Sequence, residues 1–238
     1  MQQTLPRRGF MKILDGSVLA FPRVASANEI EVPITLDHII IGCRDLDEGI
    51  SFVEKQTGVR ATFGGVHPGR GTHNALLSFG ERRYLEILAP DPKQKSQTWF
   101  EELKSLTEPK LIGWAAHPGN ITSFADRLRA AKVACTGPTD GSRARPDGQM
   151  LHWKTLNLED DRNGLLPFFI EWSADSPHPS SDAPKGCSLK KFFLACPDHS
   201  QWQPLLATLE LDLLLESFST PQLRASIAGP RGTLQISS

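Results

Sequence analysis

One amphipathic helix pattern recurs three times along the chain. In each copy, apolar or small residues occupy positions i, i+3, i+4 and i+7, which is the spacing of one helix face. The three sets are Leu46, Gly49, Ile50 and Val53, then Ile121, Phe124, Ala125 and Leu128, then Trp202, Leu205, Leu206 and Leu209. A spacing of roughly 75 to 80 residues exceeds that of most solenoid repeats, so the pattern predicts duplicated supersecondary modules.

Short β-branched and apolar runs accompany each predicted helix. In the first copy, a buried strand at 36–41 precedes a helix with a capping box of Asp45 and Glu48, and strands at 57–64, 74–79 and 84–88 follow. The second copy has predicted strands at 111–116, 149–158 and 166–172, and the third at 189–196, 213–218, 223–228 and 233–237. This order predicts βαβββ modules and therefore an α+β fold.

The modules divide the chain into three predicted regions. Residues 34–175 form one domain from modules at 34–90 and 110–173, and residues 185–238 form a third module. Residues 1–33 are a predicted leader, which is either a targeting segment, with Arg7-Arg8 and Ala25-Ser26-Ala27 as its signals, or a disordered extension.

The third module raises the question of assembly. Two modules close one cup, so a third would leave a sheet face and edge that must be covered. A homodimer is the predicted solution. The alternative is that the third module folds back on the first two, with the leader at its edge.

Composition limits the classes of function. Hydrophobic residues make up 39% of the 238 residues, the net charge is -1, and the basic residues are scattered, so neither nucleic acid nor a membrane surface is an expected partner. No apolar run approaches the roughly 20 residues of a transmembrane helix. The four cysteines lack Cys-x-x-Cys spacing and favour a cytoplasmic protein, with export or an organelle as the alternative.

Several motifs together carry a family resemblance. They are Leu36-Asp37-His38-Ile39, Gly71-Thr72-His73-Asn74-Ala75, Tyr84-Leu85-Glu86, Arg143-x-Arg145-Pro146-Asp147-Gly148 and Leu166-Pro167-Phe168-Phe169-Ile170-Glu171-Trp172. On these residues the chain resembles the vicinal oxygen chelate superfamily and, within it, the glyoxalase-like branch. The resemblance implies two βαβββ modules paired into a cupped half-barrel, with a divalent metal held inside by the first and last strands of each module.

Carried over strand by strand, the resemblance implies a metal site formed by His38, Glu86 and Glu171. The fourth family position falls on Gly113, which has no ligand atom. One imidazole and two carboxylates remain, a set that leaves positions open for substrate oxygens. The ion implied is Zn, Fe, Mn or Ni, and the corresponding third-module positions hold no such set.

Other polar residues in these motifs are candidates for substrate chemistry. Glu171 and His73 are predicted to be catalytic proton carriers. The predicted substrate-binding residues are Asn74, Arg143, Arg145 and His152, because guanidinium and amide groups suit substrate oxygens. A plainer interpretation also stands, in which the two glutamates pair with Arg82 or Lys154, His38 is a hydrogen-bonded core residue and His73 shapes its loop. In that interpretation His152, Arg143 and Arg145 are solvated.

Two functions from different classes follow. The first is a metal-dependent enzyme that acts on a small oxygenated or carbonyl substrate as a lyase, isomerase or dioxygenase. The second is a metal-free protein that binds or sequesters a small molecule on the same scaffold. The missing fourth ligand favours the second, whereas the retained His38, Glu86 and Glu171 favour the first.

Overall fold

The computed structural model describes residues 31–80, 82–94 and 100–238, so the predicted leader lies almost wholly outside the described residues. Within them the chain is α+β, as predicted. The helices are α1 (Leu46–Thr57), α2 (Phe100–Lys104), α3 (Ile121–Ala130) and α4 (His199–Thr208), with a 3₁₀ turn at Pro179–Ser181. The strands are β1 (Leu36–Gly42), β2 (Thr62–His67), β3 (Thr72–Gly80), β4 (Arg83–Pro90), β5 (Lys110–Ala116), β6 (Cys135–Ala144), β7 (Met150–Leu158), β8 (Phe168–Trp172), β9 (Ser188–Cys196), β10 (Leu214–Ser217), β11 (Gln222–Ala228) and β12 (Thr233–Ser237).

Eight strands form the cupped half-barrel that two paired modules predict. Their order is β2-β3-β4-β1-β5-β8-β7-β6. Strands β1 and β5 pair antiparallel at the centre, whereas β1 pairs in parallel with β4 and β5 with β8, so each module repeats one arrangement. Every residue of β1 is buried, as expected for a strand covered on both faces.

Helices α1 and α3 pack on the convex side of this sheet through the faces that the repeated pattern marks. The buried residues of α1 and α3 include all the predicted i, i+3, i+4 and i+7 positions. Asp45 caps α1 by accepting a hydrogen bond from the Glu48 N–H at 3.0 Å. The predicted capping box is only half formed, because the Glu48 carboxylate binds Arg44 instead. No helix in the described part of the chain is long and apolar enough to cross a membrane.

Strand β6 is the element that the sequence pattern does not predict. It has no apolar alternation, and Arg143 is its one buried residue. It lies at the edge of the sheet and is held through its ladder with β7. Pro138 is tolerated there because an edge strand has one side without ladder hydrogen bonds.

The third module folds back on the first two. Its strands form a separate sheet with the order β10-β9-β11-β12. Phe192 of β9 packs edge-on against Trp114 of β5, with ring centroids 5.3 Å apart, and both belong to one continuous core that also contains Leu36 and Ile236. The open face on which the homodimer prediction rested is therefore covered within the chain, and the homodimer stays a prediction.

Phe192→Ala should destabilise the whole chain and not the third module alone. Phe192 is fully buried, and truncation of a buried phenylalanine costs about 3–5 kcal/mol. Chemical denaturation, followed by circular dichroism and by hydrogen exchange of the β1 amides, should give one transition at a lower midpoint. Phe218→Ala, at a side chain that is 37% exposed, is the control and should move the midpoint far less. Two separate transitions would contradict a shared core.

Candidate functional site

A cavity of about 420 Å³ occupies the concave side of the half-barrel. This volume is in the range of small-molecule sites. The first module supplies His38, His67, Arg70, Asn74 and Glu86, and the second module supplies Asp140, Arg143 and a largely aromatic wall. The two modules therefore contribute different chemistry to one cavity.

Asp37 is a buried carboxylate that accepts three hydrogen bonds. His38 Nδ1 lies 2.7 Å from Asp37 Oδ1, while His178 Nε2 and Trp172 Nε1 each lie 3.2 Å from Oδ2. Burial alone would raise the pKa of this carboxyl, but the hydrogen bonds from His178 and His38 outweigh it and hold the pKa well below the usual range. Asp37 is therefore ionised and acts only as an acceptor.

The hydrogen bonds around Asp37 fix which nitrogens of the two imidazoles carry protons. The Ser180 backbone N–H donates to His178 Nδ1 at 3.2 Å, so the proton of His178 is on Nε2 and points to Asp37. An ionised Asp37 likewise requires a proton on His38 Nδ1. The Nε2 atom of His38 is left facing the cavity.

The geometry of β1 makes this contact between sequence neighbours possible. Successive strand residues normally point to opposite faces. The ladder between β1 and β5 has a register irregularity between Leu36 and His38, which leaves Asp37 without a partner in β5. The His38 ring is further held by stacking on Tyr84, with ring centroids 4.4 Å apart, and by the edge of Phe168.

Glu86 faces His38 across the cavity floor. Its Oε2 lies 3.5 Å from His38 Nε2, and its Oε1 lies 3.7 Å from His67 Nε2 and accepts a hydrogen bond from Asn74 Nδ2 at 2.7 Å. Burial would raise the pKa of Glu86, but the neighbouring His67 and His38, the Asn74 hydrogen bond and Arg143 together lower it. Burial lowers the pKa of His67, which favours its neutral form.

Glu171 lies on the opposite face of the sheet from the cavity. Its Oε2 accepts a hydrogen bond from the Ile121 backbone N–H at 2.6 Å, at the first turn of α3. Its strand neighbours Ile170 and Trp172 line the cavity instead. The structure therefore does not bring Glu171 to His38 and Glu86, and its carboxylate serves the N-terminus of a helix.

The strand register explains this placement. The ladders pair His38 with Tyr84 in the first module and Ala115 with Phe168 in the second. The residues of β4 that line the cavity are Tyr84, Glu86 and Leu88, and those of β8 are Phe168, Ile170 and Trp172, so β8 presents no carboxylate to the cavity. Matching Glu86 to Glu171 by sequence therefore pairs a position that faces the cavity with one that does not, because a shift of one residue moves a strand side chain to the other face.

The donor set therefore does not fit the predicted three-ligand metal site. Among the described residues, no group of three or more His, Cys, Asp or Glu side chains is arranged to hold a metal ion. Both Glu86 oxygens already face His38, His67 or Asn74. The metal-ligand role of His38 and Glu86 stays a prediction.

Three other predicted site residues also lie away from the cavity wall. His73 faces Phe63, with ring centroids 6.2 Å apart, whereas its neighbours on β3 line the cavity. His152 is exposed on β7. Arg145 pairs with Asp182. Asn74 and Arg143 are the predicted substrate-binding residues that the structure places in the wall.

Sequence reasoning missed Asp37, His67 and His178. Asp37 could have been considered as the acidic neighbour of His38. His67 ends β2 directly opposite Thr72, so hairpin register could have placed it beside Asn74. His178 lies 141 positions from Asp37 in a proline-rich linker, and nothing in the local pattern indicates their contact.

Comparisons with known proteins agree with this architecture. A family model described as a glyoxalase-like domain matches residues 36–210. A hypothetical protein from Staphylococcus aureus has a TM-score of 0.60 at 17% identity, with 85% of this chain and 84% of that chain covered. Methylmalonyl-CoA epimerase from Mycobacterium tuberculosis has a TM-score of 0.43 at 18% identity, covering 60% and 89%. No curated protein matches the sequence.

Glu171→Gln should lower the free energy of unfolding and leave the residues that line the cavity unchanged. Removing the charge at the N-terminus of α3 should cost about 0.3–2 kcal/mol of unfolding free energy. Urea denaturation at low ionic strength measures this change. Glu159→Gln is the matched control, because Glu159 is exposed in the loop that follows β7. It should have little effect on the free energy of unfolding. Unchanged stability with lost ligand binding would instead support a role for Glu171 in the cavity.

Proposed function

We propose that this chain, which belongs to the glyoxalase-like domain family, is an enzyme that transfers a proton on a small carbonyl substrate. One observation carries the proposal. Asp37 binds one ring nitrogen of His38 at 2.7 Å, and the other ring nitrogen faces a cavity of about 420 Å³. An imidazole that a carboxylate orients through one ring nitrogen is suited to act as a general base through the other.

The proton transfer assigns a role to each neighbouring group. His38 Nε2 accepts a proton from the carbon beside the carbonyl, and the C–H electron pair moves to leave negative charge on the carbonyl oxygen. The imidazolium that forms is stabilised by Asp37 on one side and by Glu86, 3.5 Å away, on the other. Arg70 and Arg143 both line the cavity and supply positive charge that favours the oxyanion.

Two of the reaction classes expected from the sequence begin with this step. Return of the proton from His38 to another carbon, or to the other face, completes an isomerisation. Expulsion of a leaving group from the adjacent carbon completes a lyase reaction. We derive no step through a metal, because the predicted ligands are divided between the two faces of the sheet.

A second candidate is binding without chemistry. The aromatic side chains Tyr84, Trp153, Phe168 and Trp172 line the same cavity, and the second-module ligand positions are apolar. These features support a protein that sequesters a small molecule. Tight binding of a compound that undergoes no proton exchange would favour this function.

The homodimer and the cytoplasmic location also stay predictions.

His38→Gln should abolish proton exchange on carbonyl substrates. The assay follows deuterium incorporation from D₂O into hydroxyacetone, pyruvate and phenylpyruvate by NMR. Loss of a general base lowers the enzymatic rate by about 10²–10⁴-fold. Asp37→Asn should also lose most of the exchange, because an amide no longer specifies the His38 tautomer.

His117→Gln is the matched control, because His117 is exposed on the loop after β5 and bonds to the Ile34 carbonyl outside the cavity. It should exchange at the wild-type rate. Full exchange by His38→Gln would refute the proposed base. The wild-type chain and each variant are assayed after chelator treatment and again with added Zn, Fe, Mn or Ni. Loss of wild-type proton exchange with the chelator and its restoration by one ion alone would establish the metal dependence that the sequence predicts.

A further inference from the structure

Arg143 is a buried cation without a paired carboxylate. It is 5% exposed and lines the cavity from β6. Its described hydrogen bond goes from Nη1 to the carbonyl of Gly64 on β2, across the two edges of the half-barrel. It forms no ion pair with any carboxylate in the described ranges. By contrast, Arg145, two residues along the same strand, pairs with both Asp147 and Asp182 outside the cavity.

A buried charge without a partner is costly, and proteins normally pair such groups. Glu86 attracts Arg143 across the cavity but does not contact it, and burial lowers the pKa of Arg143. The guanidinium remains charged in proteins and has five N–H donors in a planar fork. With one donor directed to Gly64, the others remain for a planar anion.

The wall beside Arg143 is aromatic. On β7, Trp153 lies opposite Gly141 of β6, and its indole is tilted against that of Trp172 with ring centroids 5.4 Å apart. A Cβ atom on Gly141 would lie 2.4 Å from Trp153 Nε1, so the glycine makes room for the indole. Gly141 and Arg143 share one face of β6 and are separated by roughly 6.5 Å.

We propose that the natural ligand of this cavity is an aryl carboxylate, with its carboxylate bound by Arg143 and its ring against Trp153 and Trp172. The spacing of roughly 6.5 Å along β6 between Gly141, which makes room for Trp153, and Arg143 is comparable to the length of a ring joined to a carboxylate by a short chain. The inference rests on the proposed function in taking this cavity as the substrate site, and it names the substrate class. Arg143 then both joins the sheet edges and selects the ligand.

Calorimetric titration tests the proposal with 3-phenylpropionate, its neutral amide 3-phenylpropionamide, and butyrate, which has a carboxylate but no ring. For the wild-type chain, we expect the acid to bind at least about tenfold more tightly than the amide, which corresponds to about 1.4 kcal/mol. Butyrate should bind more weakly than 3-phenylpropionate. Equal affinity for the acid and the amide would overturn the proposal without any variant.

Arg143→Lys keeps the charge but removes the fork, and should reduce the preference for the acid to about threefold or less. Arg145→Lys is the matched control and should keep the wild-type preference. Equal losses in both variants would contradict a specific role for Arg143. Trp153→Leu should weaken 3-phenylpropionate but not butyrate. If Arg143→Lys does not fold, the preference of the wild-type chain for the acid over the amide and the affinities of Trp153→Leu still test the proposal.

The two hypotheses fail separately. His38-dependent exchange with no preference for the acid would refute the aryl carboxylate and leave the proton-transfer enzyme intact. Arg143-dependent binding of 3-phenylpropionate, with no exchange on any carbonyl compound, would support the ligand class and refute the enzyme.

Discussion

The Asp37 carboxylate is 2% exposed and accepts hydrogen bonds from three separate parts of the chain. One donor is its own neighbour on β1, one is Trp172 at the end of β8, and one is His178 in the linker to the third module. A buried carboxylate that loses a donor incurs a desolvation penalty of about 1–3 kcal/mol or more. The position of that linker is therefore coupled energetically to the state of the His38 imidazole.

This coupling explains why a linker residue belongs to the site. Without the Nε2–H of His178, Asp37 would accept hydrogen bonds from His38 and Trp172 alone. The hydrogen bond from His178 is also the largest of the contributions that lower the pKa of the Asp37 carboxyl. The third module begins shortly after this linker and shares its core with the first two modules. The packing of the third module thus helps to hold His178 against Asp37, the carboxylate that fixes the tautomer of His38.

The sequence predicts the parts of this structure that depend on local periodicity. The helix faces of α1 and α3 are buried as the spacing of Leu46 and Ile121 indicates, because burial of one face is a local property of the pattern. Strand β6 escapes detection because its ladder with β7, and not its own sequence, makes it a strand. The candidate site is predicted in part, since His38, Glu86, Asn74 and Arg143 line the cavity. Glu171 does not line the cavity. The register of a strand is set by the strands that pair with it, and a motif match in the sequence contains no information about that register.

The two modules have diverged in chemistry while keeping one geometry. The residues of β8 that line the cavity are Phe168, Ile170 and Trp172, so the second module presents no carboxylate there as β4 presents Glu86. A symmetric cavity would crowd ionisable groups from both halves into a small volume and require further charges to pair them. Concentrating the imidazoles and Glu86 in the first module leaves the second to present aromatic surfaces together with Asp140 and Arg143. Reaction and recognition are nevertheless linked through Trp172, which lines the cavity and donates a hydrogen bond to Asp37, so a change at this position of the ring-binding wall would also alter the Asp37–His38 pair.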